Sequence, residues 1–127
     1  MNILRDFLIV GAGSFFGGGT RFLVSKAATV LCATAFPWGT FVVNVLGCLI
    51  IGFFSALPMG GWLSPQAKLF LTTGFCGGFT TFSTFMNENS SLIGNGNYPV
   101  FFLYLVGSFA AGLLCVWAGN ALAKCVM

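Results

Sequence analysis

Histidine is absent from this chain, and carboxylates nearly so: Asp6 and Glu88 stand against five Lys and Arg in 127 residues. Without an imidazole no Ser-His-Asp or Cys-His relay can be built, and two isolated acids make a paired-carboxylate site remote. The chain is therefore read as a non-enzyme. Cys32, Cys48, Cys76, Cys115 and Cys125 form no C-x-x-C pair, which excludes the usual zinc, iron–sulfur and haem spacings. They read as small apolar thiols between helices. Charged residues amount to 6% of the chain, where soluble domains carry about a quarter. With 57% hydrophobic residues and a mean hydropathy of +0.98, this is the composition of an integral membrane protein. The net charge of +3 makes no case for nucleic acid, since basic residues at helix ends suit lipid headgroups equally well. No cleavable signal peptide is expected, because the first apolar run lacks an A-x-A-like site and apolar segments continue to the end.

A membrane-spanning helix needs roughly 20 mostly apolar residues, and four such segments fit a single all-α domain over residues 1–127: about 3–23, 38–57, 65–87 and 98–123. The first ends near Arg21 and Lys26. Pro37, Pro58 and Pro65 divide the long uncharged stretch that follows, with a turn at Pro58-Met59-Gly60-Gly61. Pro65 suits the first turn of the third segment, Asn87 to Asn97 reads as a polar loop, and Lys124 closes the fourth. Arg5, Trp38, Trp62, Lys68 and Tyr98 fall where segment ends meet water, as interfacial anchors do. Arg5, Lys68 and Lys124 lie on one side and Arg21 and Lys26 on the other, nearly a tie. The chain either inserts both ways up and pairs antiparallel, or takes one orientation set by other features. Gly13 with Gly17, and Gly107 with Ala111, are small-residue pairs that let helices approach closely.

Polar residues inside these segments carry the functional signal. Thr40 and Asn44 lie four apart on the second, and Tyr104 and Ser108 four apart on the fourth, so each pair shares a helix face. Asn44 brings donors and an acceptor that all need partners; it either bonds across to a neighbouring helix or offers an N–H to a ligand. Donors without acidic groups suit an anion better than a cation. The third segment carries Thr73-Gly74-Phe75-Cys76-Gly77-Gly78-Phe79-Thr80-Thr81-Phe82-Ser83-Thr84-Phe85. A Gly-rich helix break is expected there, buried in protein or lining a wet cavity. Phe82 and Phe85 sit three apart and can turn electropositive ring edges the same way, interleaved with Ser83 and Thr84.

The string GFCGGFTTFSTF from Gly74 to Phe85 resembles the signature of the CrcB/Fluc fluoride channels. Gly39-Thr40 with Asn44 and Gly47 resembles their second-helix pattern, Gly18 to Arg21 their first-helix motif, and Gly107-Ser108 their fourth. The resemblance covers essentially the whole chain. It implies an antiparallel, dual-topology homodimer in the inner (plasma) membrane, with two pores that let fluoride leave the cell passively. By the same resemblance Phe82 and Phe85 flank the fluoride path, Asn44 donates to the ion, Ser108 belongs to a polar track, and Tyr104 lies along the pore. Ser83 and Thr84 lie beside the rings, Glu88 near a pore mouth, and Arg21 near the vestibule. Backbone carbonyls of Gly77 and Thr80 would hold a structural, non-transported sodium ion. Gly112 departs from the pattern, standing where many members carry Ser or Thr. The alternative function is a proton-coupled small multidrug exporter, which needs a membrane-embedded carboxylate; a non-conducting structural subunit is a third reading.

Overall fold

A computed structural model describes residues 2–58 and 63–126; Met59, Gly60 and Gly61 of the expected turn, and the expected anchor Trp62, lie outside them. Helices α1 (Ile3–Leu31), α2 (Trp38–Ala56) and α6 (Tyr98–Val126) are each long and apolar enough to cross a membrane. The third segment is composite: α3 (Pro65–Leu69), a wide π-helical stretch (Phe70–Cys76), a short α4 (Gly77–Phe79), a break, and α5 (Ser83–Gly94). The described residues form an all-helical protein with the character of an integral membrane protein.

Local chemistry sets the ends. Asn2 caps α1 through Arg5 N–H, and Ser64 caps α3 through Ala67 N–H, with Pro65 in the first turn as expected. Lys68 Nζ donates to Ser55 O and Leu57 O, both at 3.0 Å, meeting carbonyls that the end of α2 leaves open. Helix α1 runs to Leu31, well past the expected end near Leu23. No proline or glycine interrupts Phe22 to Leu31, and Ser25 and Thr29 pack closely on Gly39 at the start of α2. Its 29 residues span about 43 Å, more than a bilayer's hydrocarbon core of about 30 Å.

Two expectations fail in the third segment. The glycines do not break the helix, because Gly74 lies in the π-helical stretch and Gly77 and Gly78 in α4. The chain leaves helical geometry after them, at Thr80-Thr81-Phe82. Gly74 and Gly78 serve packing instead: a Cβ on Gly13 would meet Phe70 O and Gly74 Cα, and one on Gly78 would meet Ser14 backbone at 2.7 Å. Backbones thus touch along the α1 seam, as small residues in membrane helices allow. The expected loop from Asn87 is helical through Gly94. Asn89 Nδ2 bonds back to Phe85 O, and the helix closes where Gly96, at φ +72°, lets Gly96 N–H reach Ile93 O and Asn97 N–H reach Leu92 O. That reciprocal pair at a left-handed glycine is a Schellman closure. The Gly107–Ala111 pair also departs from expectation, since a Cβ on Gly107 would meet open space within the chain. Gly119 makes the close approach of α6 to α2 instead, against the backbone of Leu49 and Phe53.

Helix α2 packs most extensively on α6, while α1 backs the π-helical stretch and α4. Phe85, Leu92 and Tyr104 form a buried cluster between α5 and α6, joined by Phe36 and Phe41. This arrangement brings the break against the middle of α2.

Candidate functional site: the broken third segment and its groove

At the break one side chain replaces the helical ladder. Thr81 N–H donates to Asn44 Oδ1 at 2.8 Å, and Asn44 Nδ2 donates to Thr81 O at 2.9 Å. In an unbroken α-helix Thr81 N–H would serve Gly77 O; Asn44 takes it away. The N–H that would serve Thr80 O belongs to Thr84, and it turns to Thr81 Oγ1 at 3.3 Å. Thr80 itself is extended (φ −96°, ψ 160°), with its N–H and Oγ1 both on Cys76 O. Its methyl fills the space that Gly47 leaves on α2. Gly77 O and Thr80 O are therefore released together from the ladder by Asn44 and Thr81. Gly78 O accepts from Arg21 Nε at 3.0 Å, and Gly74 O from Ser14 Oγ at 3.1 Å, so α1 holds the other face of the segment. Arg21, expected near the end of the first span, lies at the level of the break with ten more residues of helix after it.

A groove of about 500 Å³ runs along this surface. Asn44, Gly77, Thr80, Phe82, Phe85 and Ser108 line it, all residues singled out in the sequence. The Ser108 hydroxyl is buried and has no hydrogen-bond partner. The two phenylalanines differ sharply. Phe85 is 4% exposed and sets its ring edge-on to Tyr104 (4.9 Å) and Phe109 (6.0 Å), whereas Phe82 is 68% exposed, 6.3 Å from Phe85.

The remaining candidates lie off the lining. Thr40 and Tyr104 are buried, the phenol donating to Glu88 Oε1 at 2.8 Å. Ser83 and Thr84 sit exposed on the first turn of α5. Thr72 and Cys48 line the groove although they were not singled out, alongside Thr73 and Thr81 of the quoted string; for Cys48 the signal was available, since it follows Asn44 by four on the same helix face. Among the described residues no three His, Cys, Asp or Glu side chains converge as a metal centre. The oxygen donors at the break are neutral carbonyls.

The family model described as "CrcB-like protein, Camphor Resistance (CrcB)" matches residues 8–120. The chain belongs to this family. It is 49% identical over 123 residues to a protein of Chlorobaculum tepidum named "Fluoride-specific ion channel FluC", covering 96% of this chain and 97% of that one. A protein of the same name from Chlorobium phaeobacteroides (strain BS1) is 49% identical, covering 92% and 91%. One from Phocaeicola vulgatus is 48% identical, covering 83% and 90%. The similarity spans all the helices that build the groove.

Proposed function

We propose that this chain is a fluoride-selective passive channel, acting as an antiparallel, dual-topology homodimer in the inner (plasma) membrane to lower fluoride inside the cell. The observation that carries the reading is the Asn44-held break on a groove shared with Phe82, Phe85 and an unpartnered Ser108 hydroxyl. It occurs in a chain about half identical, over nearly its full length, to relatives named fluoride-specific channels.

A small anion entering such a path must exchange water for fixed donors. Asn44 has two amide hydrogens and spends one on Thr81 O, leaving one to offer. Ser108 has its hydroxyl to offer, and phenyl edges add positive character. Among the described residues no carboxylate lines the groove, which favours an anion over a cation and leaves a proton-coupled exporter without its exchanging acid. Each contact is individually modest, so an ion is held weakly enough to move on. The driving force is the membrane potential, about 2.3 kcal/mol per charge per 100 mV, and fluoride that enters as the neutral acid leaves as the anion.

The groove is largely apolar, and Phe82 stands out from it. A second, inverted copy covers that face, encloses two equivalent paths, and brings the exposed Ser83 and Thr84 into the wall. Thr40 and Tyr104 brace the path from behind, with Glu88 toward its mouth and Arg21 beside the break, on Gly78 O. The released carbonyls of Gly77 and Thr80 fit a structural sodium ion shared between copies: neutral oxygens suit a hard cation, and both are freed from the ladder together. When bound, the ion supplies fixed positive potential at the dimer centre and is not transported.

The test is ion efflux from liposomes containing the purified protein, followed with fluoride- and chloride-selective electrodes. Rapid fluoride release with chloride retained is expected. Equal release of both ions, or of neither, overturns the reading.

A further inference from the structure

Helices α2 and α6 run side by side in a fixed register. Thr40 lies against the Tyr104 phenol, a Cβ on Gly112 would sit 3.3 Å from Cys48 Sγ, and Gly52 faces the Val116 backbone. The same residue offset joins each pair, and it sets Asn44 opposite Ser108, both on the groove. The facing stripes therefore read as rungs: Thr40 with Tyr104, Asn44 with Ser108, Cys48 with Gly112. On the first two rungs each helix brings a polar group. On the third, α6 brings only a hydrogen, and Cys48 Sγ stands next to the space that a side chain at 112 would occupy. Cys48 lines the groove alongside Ser108, whose buried hydroxyl, one turn before Gly112, still lacks a partner.

We propose that the Cys48 thiol is a lining group of the ion path, supplying from α2 the polar contact that Gly112 cannot supply from α6. This rests on the channel reading above. A thiol is a weaker donor than a hydroxyl, so the third rung passes the anion on without trapping it, as a multi-site path requires. Because the two helices share one rung, the polar atom can be moved across it. Gly112→Ser in the presence of Cys48 is crowded, but Cys48→Ala opens the room for that serine.

The experiment compares fluoride efflux from liposomes for the wild-type protein, Cys48→Ala, Cys48→Ser and the double variant Cys48→Ala with Gly112→Ser. A net loss of roughly three- to tenfold is expected for Cys48→Ala, the range one lost hydrogen-bonding contact carries. Cys48→Ser and the double variant should return to within about twofold of wild type. Undiminished flux in Cys48→Ala overturns the proposal. So does a loss that neither serine variant repairs, which would make Cys48 a packing residue. Wild-type protein that releases no fluoride overturns the channel reading and this assignment with it, whereas a conducting wild type with an indifferent Cys48 overturns the assignment alone.

Discussion

Replacing Asn44 with alanine removes the device that opens the third segment. Asn44 bonds both Thr81 N–H (2.8 Å) and Thr81 O (2.9 Å). Stranding a buried polar group costs about 1–3 kcal/mol. Thr81 is half-buried, so some solvent relief applies, and the pair should cost roughly 2–4 kcal/mol if the break keeps its shape. The chain has an escape: Thr81 N–H can return to Gly77 O and re-form a helical turn, which cuts the cost but withdraws the Gly77 carbonyl. Either way the groove wall changes and a donor is lost. Fluoride efflux from liposomes should fall at least about tenfold, the equivalent of roughly 1.4 kcal/mol, whichever way stability moves.

Asn44→Asp separates holding the break from donating to the ion. A carboxylate still accepts from Thr81 N–H but has no hydrogen for Thr81 O or for an anion. At about 5 Å and an effective dielectric near 20 it repels a monovalent anion by about 3 kcal/mol, so flux should fall by about a hundredfold or more. Thermal unfolding in detergent should fall less than in Asn44→Ala, because one of the two bonds survives. Fluoride efflux within twofold of wild type in both variants, with unfolding unchanged, would refute the placement of Asn44 in both roles.

Phe82→Ile and Phe85→Ile should each abolish or greatly reduce fluoride efflux, since the two rings lie on one groove; undiminished flux in both removes them from the path. Phe85→Ala should also destabilise the fold by about 3–5 kcal/mol, as expected for a buried aromatic, whereas Phe82, 68% exposed in the protomer, should cost far less within a protomer; equal costs would contradict their different burial. Gly17→Val drives a side chain into the Phe75 carbonyl and should lower the unfolding temperature, by an overpacking cost of about 1–3 kcal/mol, while Gly19→Ala meets open space and should be neutral. Gly96→Ala forces a side chain onto φ +72° at a cost of about 1–2 kcal/mol, seen as a lower unfolding temperature with fluoride selectivity retained.

The all-helical character of the described residues and the helix starts at Trp38, Pro65 and Tyr98 were legible in the sequence because each rests on local chemistry. Proline placement, serine capping and apolar run length act within a few residues. The position of the break was not legible from local propensity. Propensity points to the glycines, but Gly74 and Gly78 are buttressed by α1 and all three stay helical, while two threonines with ordinary helical tolerance leave the helix. The cause lies 37 residues away in sequence, at Asn44. A side chain there outcompetes the Gly77 carbonyl for Thr81 N–H, and nothing in a window around Thr81 records that competition. The polar loop failed for a related reason: Asn87 to Asn89 look like loop residues, yet Asn89 bonds back to Phe85 O inside a buried cluster.

Asn44 therefore links the fold to the proposed function more tightly than the proposed donor role alone suggests. Oxygens are released at the break only where another group satisfies the N–H that the ladder would have used, since a buried orphan N–H would cost more than the release gains. Asn44 satisfies Thr81, and Thr81 in turn satisfies Thr84; the two steps release Gly77 O and Thr80 O in sequence. A cation held by those carbonyls and an anion passing Asn44 would depend on one amide. The proposed sodium site predicts sodium-dependent thermal stability in wild type; that dependence should vanish in Asn44→Ala together with fluoride flux, whereas Ser108→Ala should weaken flux and leave the sodium dependence intact. Retained sodium dependence in Asn44→Ala would uncouple the two and break the chain of substitutions from Asn44 to Thr80.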